Sequence, residues 1–286
     1  MGVITPVWGM QVMMEMMMAD STPNSIAEVS AFDPDARIDP HPKLKRLRDG
    51  CPVLYDEGGK TWFLTRYDDV RAVIHDKSIA RHPKLAEPGS FVASFAASNL
   101  DIERADDRAD TILSLDDPDH TRIRVPFTKV FYPRVKRMSA EIEAMVDADI
   151  AALPETGQFD LVQEIALDMP IKIIAKIIGV DSSMLDQFRA WSEAIVLSLD
   201  PLRTPEQTEL MIKAGVEINA YFLELMAARR AKPEDDLTTD MVQKQAEGAE
   251  LSDQEIAANL ELLLSAGNLT TTDMICIGTW LFLNNP

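Results

Sequence analysis

Apolar residues follow different rhythms along this chain, and each rhythm predicts a different element. In PVLYDEGGKTWFLTRY, two β-prone runs, Val53 to Tyr55 and Thr61 to Thr65, flank the turn formers Asp56, Gly58 and Gly59. That arrangement predicts a hairpin. From Asp68 to Asp76, the apolar residues Val70, Val73 and Ile74 recur at helical spacing behind an aspartate able to cap, which predicts a short helix. Residues 21–52 are rich in Pro and Asp and predict an extended lead-in with one helical stretch, Lys43 to Arg48. Residues 80–112 show no strong period and carry Pro83, Pro88 and Gly89 beside the apolar run FVASFAA. A long, partly mobile loop of the kind that contacts ligands is expected there.

Beyond Ser114 the helical period dominates, with breaks at Pro133, Pro154 to Gly157, near Gly179, Asp200 to Pro205, and Lys232 to Pro233. Six or seven helices fit between them. No repeat and no Gly/Ser linker divides the chain, so the fold class expected is mainly α with a small β-sheet. The expected organisation is a leader and lead-in over residues 1–39, then one domain over residues 40–286.

The last helix is the most specific element. SDQEIAANLELLLSAGNLTTTDMICIGTWLFLNNP opens with Ser252 and Glu255, a capping box, and predicts a helix from about Asp253 to Leu283. Such a helix spans roughly 45 Å at about 1.5 Å per residue. It is apolar around most of its circumference, which predicts burial. Its middle breaks the pattern: Gly267, Asn268, Thr270, Thr271 and Thr272 together cost about 2 to 3 kcal/mol relative to alanine. Poor helix formers at the centre of a well-specified helix mark either a close helix contact or a place where a ligand meets the backbone.

Composition narrows the choices. Of 286 residues, 46% are hydrophobic and 26% charged, a globular balance, and the net charge of −19 excludes general nucleic-acid binding. The two cysteines, Cys51 and Cys276, have neither disulfide-framework nor metal-ligand spacing, so a reducing, cytoplasmic compartment and no metal site in this chain are expected. The Met-rich start carries Glu15 and lacks a secretory cleavage pattern, and is read as a loose leader. Leu262 to Leu281 has Asp273 as its only charge, but Asn268 and three threonines favour a core helix over a membrane span. Gly59, Lys60 and Thr61 mimic the end of a phosphate-binding loop, yet Leu54 stands where that motif needs glycine. The sequon Asn268, Leu269 and Thr270 is discounted in a buried helix.

Within this acidic chain, SLDDPDHTRIRVPFTKVFYPRVKRM is a positive island. Arg122, Arg124, Lys129, Arg134, Lys136 and Arg137 lie between Thr121 and Met138 with no acid among them. Asp117 can cap a helix with Pro118 at its first position, which puts His120 and Arg124 four residues apart on one face, able to donate to one anion. Arg122 points elsewhere. Taken singly, a helix-start histidine bonded to a neighbour and a solvated basic face explain these residues equally well.

In combination and in this order, about 145 residues apart, the two features resemble the cytochrome P-450 family, from about Pro40 to Pro286. His-Thr-Arg-Ile-Arg resembles that family's C helix, where the histidine and second arginine bind heme propionates; these are His120 and Arg124 here. SAGNLTTT resembles the oxygen groove of the central I helix. On that match Ala266 and Gly267 would face a heme b, Thr270 would be the catalytic hydroxyl facing dioxygen, and Asn268, Leu269 and Thr271 would complete the groove. The hairpin would match the family's first strands, and residues 80–112 its substrate-covering loop.

The resemblance implies a heme-thiolate monooxygenase that inserts one oxygen atom of O2 into an apolar substrate, with Phe91, Val92, Phe95, Leu262 and Leu263 as candidate substrate contacts. It also implies a ferredoxin-type electron donor docked on Arg122, Lys129, Arg134, Lys136 and Arg137, and no membrane anchor. Two departures stand out. Leu269 occupies the position where the family has an acid, so Thr270 would need water, Asn268 or Asp273 for its proton. The E-x-x-R pair and the heme loop F-x-x-G-x-x-x-C-x-G are absent, so the match covers the amino-terminal two-thirds and the fold is expected to be incomplete at its C-terminus. A non-catalytic helical fragment or interaction module without heme is the alternative.

Overall fold

The hairpin forms where the alternation predicts it. In the computed structural model, which describes residues 22–97 and 109–285, β1 (Val53–Asp56) pairs antiparallel with β2 (Thr61–Leu64), Val53 opposite Leu64 and Asp56 opposite Thr61. Asp56 ties the turn together. Its carboxylate accepts from the amides of Gly58 (3.0 Å), Gly59 (3.2 Å) and Ile26 (2.9 Å), and from the Ser25 hydroxyl (3.2 Å).

Contacts divide the chain into two compact units, residues 1–96 and 97–286. In the first, the predicted extended lead-in is more helical than its composition suggests. A short 3-10 turn, Ile26–Val29, precedes α1 (Pro34–Ile38) and α2 (His41–Gly50). Asp33 caps α1 through the Ala36 amide at 2.8 Å, and Pro34 sits at the first helical position, which explains the extra helix. Val29, Leu47 and Leu54 form a small core with Leu44, Cys51 and Phe63 against it. After β2 comes α3 (Tyr67–His75), whose cap is Arg66 rather than Asp68 and makes no side-chain bond. The stretch read as loop contains a 3-10 turn, Pro83–Leu85, and residues 91–97 are helical. Residues 98–108 of that stretch and the leader, residues 1–21, lie outside the described residues.

The second unit is helical. α4 (Asp119–Arg137), α5 (Ser139–Ala151), a π turn (Val162–Ala166), α6 (Asp168–Ile178), α7 (Leu185–Val196), α8 (Pro205–Ala231), α9 (Leu237–Ala246) and α10 (Asp253–Asn284) follow in order, seven α-helices among the described residues. The breaks fall at the predicted Pro and Gly positions with one exception. α4 runs through Pro126 and Pro133 and stops at Met138. The two prolines are seven residues apart, so the carbonyls they leave unbonded, at Arg122 and Lys129, share one accessible stripe and the helix survives.

α6 ends on Gly179, at φ 97°, a left-handed conformation that glycine adopts without strain. Ile171, Ile174 and Ile178 of α6, Phe188 and Trp191 of α7, Ile218 and Phe222 of α8, Leu237 and Met241 of α9, and Ile256, Leu260 and Leu264 of α10 form the core with Ile123 and Phe127 of α4.

α10 matches its predicted bounds to within a residue and has both bonds of its capping box, Glu255 N to Ser252 Oγ at 3.2 Å and Ser252 N to Glu255 Oε2 at 2.7 Å. Its predicted burial holds only for the first five turns. Burial ends at Thr272, and Met274, Ile277, Trp280, Phe282 and Leu283 are 58 to 80% exposed among the described residues. No helix among the described residues is long and apolar enough to cross a membrane.

Candidate functional site

The start of α4 is organised by Asp117. Its carboxylate accepts from the backbone amide of Thr121 at 3.2 Å and from the Thr121 hydroxyl at 2.5 Å. Pro118 therefore precedes the first helical residue, Asp119, instead of occupying it. His120 lies partly buried, with its Nδ1 3.7 Å from Asp117 Oδ1. Arg124 follows one turn later on the same face, exposed, and forms no ion pair among the described residues. An available guanidinium beside an imidazole suits a bound anion.

The other basic residues do not make one surface. Arg134 is 2% exposed and turned inward, with Nε 2.8 Å from Asp240 and Nη2 2.9 Å from Asp235. Arg122 is also consumed internally. Nη2 donates to Glu255 Oε1 at 2.6 Å and lies 3.0 Å from Asp119 Oδ1, while Nη1 donates to Glu255 Oε2 (3.2 Å) and the Glu250 carbonyl (2.6 Å). Nε donates to Asp119 at 3.0 Å. Both arginines leave the expected docking patch because acids more than 100 residues downstream, or backbone, already claim their donors. Lys129, Lys136 and Arg137 remain exposed.

Arg122 joins the two motif-bearing helices at their starts. Asn259 adds a second tie, accepting from the Ile112 amide at 3.0 Å while donating to the Glu255 carbonyl at 2.8 Å. Burial opposes the charge of Glu255, but the Arg122 fork and the Ser252 amide outweigh it and hold its carboxyl below the usual glutamate range. Burial likewise opposes the charge of Arg134, and Asp240 and Asp235 overcome it, raising its pKa. Glu255 was legible as a capping residue; its second role was not.

In the groove, α10 stays helical throughout. Thr270 Oγ1 donates to the Ala266 carbonyl at 2.5 Å, and Ala266, Thr270 and Thr271 are exposed. Gly267 does not share that face. A Cβ there would meet Ile174 Cγ1 at 3.1 Å, so its smallness serves the close approach of α6, which corrects its placement toward a heme. Asn268 is 2% exposed, and its Oδ1 has no hydrogen-bond partner. It projects about 200° around the helix from Thr270. Thr272 is buried beside it and donates to Ala166 O at 2.7 Å. Asp273, three residues beyond Thr270 and exposed, is the acid on Thr270's side. Leu262 and Leu269 are half-buried, and Leu263 packs against the core.

Phe91, Val92 and Phe95 belong to the first unit. The Phe91 amide donates to Gly59 O at 2.7 Å, and its ring lies 5.9 Å from Phe32 and 6.0 Å from Phe95. Val92 is 41% exposed. A cleft of about 780 Å³ in the second unit is lined by Lys172, Lys176, Tyr221, Arg229 and Asp235 among others, and by none of the residues singled out from the sequence.

No family model matches the chain. Cytochrome P450 107B1 of Saccharopolyspora erythraea is 31% identical over 273 residues, covering 93% of this chain and 64% of the relative. The epothilone C/D epoxidase of Sorangium cellulosum is 30% identical over 261 residues, covering 89% and 61%. The crystal structure of the myxobacterial cytochrome P450 CYP267B1 in complex with myristic acid aligns with a TM-score of 0.77 at 27% identity, covering 92% of this chain and 64% of that one. The fold is a partial cytochrome P450 fold. This chain spans about three-fifths of the length of the curated cytochrome P450s it matches.

Heme is the group that cytochrome P450s imply, and the residues here fit part of it. The available Arg124 beside His120 suits its anionic edge, and the exposed small residue Ala266 suits its flat face. The motif cysteine is not in this sequence, and among the described residues no group of three or more His, Cys, Asp and Glu could hold a metal ion.

Proposed function

We propose that this chain is the heme- and dioxygen-facing portion of a cytochrome P450 monooxygenase that oxidises an apolar substrate. The observation that carries the reading is the exposed face of α10, where Ala266 and Thr270 lie one turn apart on a helix whose opposite side is core. When bound, a thiolate-ligated heme supplies reductive activation of dioxygen. This chain supplies the surroundings. His120 and Arg124 donate to the propionates, Ala266 leaves room for the ring, and the Thr270 hydroxyl exchanges its bond to the Ala266 carbonyl for one to dioxygen.

Leu269 carries no proton at the position beside Thr270, and the buried Asn268 faces the other way, so Asp273 and water are the proton sources on the correct side. Leu262 contributes apolar wall, as do Phe91, Val92 and Phe95 in the first unit. The names of the epoxidase and of the myristate-bound relative support an apolar substrate. Lys129, Lys136 and Arg137 are the surface for an acidic, ferredoxin-type donor, which places the working protein in a reducing compartment.

The test is to join this chain to the remaining carboxy-terminal part of the Saccharopolyspora relative and record the carbon monoxide difference spectrum after reduction. A thiolate-type spectrum is expected. A folded, soluble fusion that takes up no heme would count against the proposal.

A further inference from the structure

Arg122 and Arg124 are two residues apart on one helix, yet their chemistry is opposite. All five N–H directions of Arg122 have protein acceptors within 3.2 Å: Nε on Asp119, Nη1 on the Glu250 carbonyl and Glu255, Nη2 on Glu255 and Asp119. Arg124 has none among the described residues. Two residues correspond to about 200° of helix, so fastening Arg122 to α10 fixes which way His120 and Arg124 point.

Glu255 is itself immobilised, because it closes the capping box with Ser252 while it receives the fork. The same helix carries Ala266 and Thr270 about three turns later. A flat ligand with an anionic edge must satisfy the α4 pair and the α10 face together, so an error between the two helices is felt at both.

We propose that Arg122 and Glu255 are positioning residues that set the anion-binding pair of α4 in register with the ligand face of α10. This rests on the reading of His120 and Arg124 as propionate ligands. Both residues act through others and neither touches the ligand.

The probe is metal-free protoporphyrin IX, which needs no axial ligand, compared with its dimethyl ester, which has the same ring and no anions. Affinities for this chain come from fluorescence titration. Glu255→Gln removes the ion pair but keeps a residue that closes a capping box. The unaltered chain should prefer the diacid. Glu255→Gln should weaken diacid binding about tenfold, the size typical of losing a supporting partner, and leave ester binding unchanged. Arg124→Ala should abolish the preference, and in that background Glu255→Gln should have no further effect.

Equal loss for acid and ester in Glu255→Gln would overturn the proposal by showing a merely structural role. A diacid preference that survives Glu255→Gln would overturn the positioning role alone. If the unaltered chain has no preference, the propionate reading falls and this role falls with it.

Discussion

The hydroxyl of Thr270 donates to the carbonyl oxygen of Ala266, 2.5 Å away and one turn earlier on α10. The bond is local and exposed, whereas Thr272, two residues on, is buried and reaches the Ala166 carbonyl in the π turn. The two threonines should therefore respond differently to loss of the hydroxyl. Thr270→Ala is expected to change unfolding free energy by less than about 0.5 kcal/mol, since alanine's helix propensity offsets a back-bond of little net value. Thr272→Ala should cost about 1 to 3 kcal/mol by stranding a buried acceptor. Urea unfolding of the two variants checks this.

Arg134 is expected to matter for folding and not for partner docking. Its guanidinium is buried between Asp235 and Asp240, so Arg134→Ala leaves Asp240 without its partner and should cost about 3 to 5 kcal/mol. Lys129→Ala and Lys136→Ala should stay within about 0.5 kcal/mol of the unaltered chain. Denaturant midpoints for the three variants separate an internal strut from surface charge.

Asp56 gives the first unit a pH dependence. The Ile26 amide, opposed by burial and helped by Gly59, Ser25 and Gly58, holds its carboxyl below the usual aspartate range. A depressed carboxyl stabilises the folded state above its unfolded pKa of about 3.9, and that contribution fades as pH falls through the folded value. The unit should be at full strength above about pH 5 and weaken below about pH 4. Asp56→Asn should cost about 1 to 2 kcal/mol at neutral pH and flatten the acid limb of a melting-temperature profile.

Gly179 should accept no side chain. Its φ is 97°, and a Cβ there would lie 2.6 Å from the Cβ of Asp236, which is itself held by an ion pair with Arg229. Gly179→Ala is expected to cost at least about 2 kcal/mol, from left-handed strain and from overpacking. A melting temperature equal to that of the unaltered chain would refute this packing account.

What was legible in the sequence was local. Asp56, Gly58 and Gly59 announced the hairpin, Ser252 with Glu255 announced α10, and Gly179 marked the end of α6. What was hidden was direction. A run of bases gives a charge total, but Arg122 and Arg134 turn inward because Glu255 and Asp240 meet them from far along the chain. Gly267 looked like part of a ligand face because a glycine among threonines breaks helix propensity; the cause is the side chain of Ile174 on a neighbouring helix. Likewise the apolar circumference of α10 predicts burial, whereas its distal turns, from Met274 onward, stand exposed among the described residues.

The most direct test of the account is a crystal structure of the heme-loaded fusion with the missing part of a relative. The account predicts heme propionates within hydrogen-bond distance of His120 and Arg124, and the ring against the Ala266 and Thr270 face of α10. Propionates held instead by Lys129, Lys136 or Arg137, or a ring that contacts α10 at neither Ala266 nor Thr270, would contradict it.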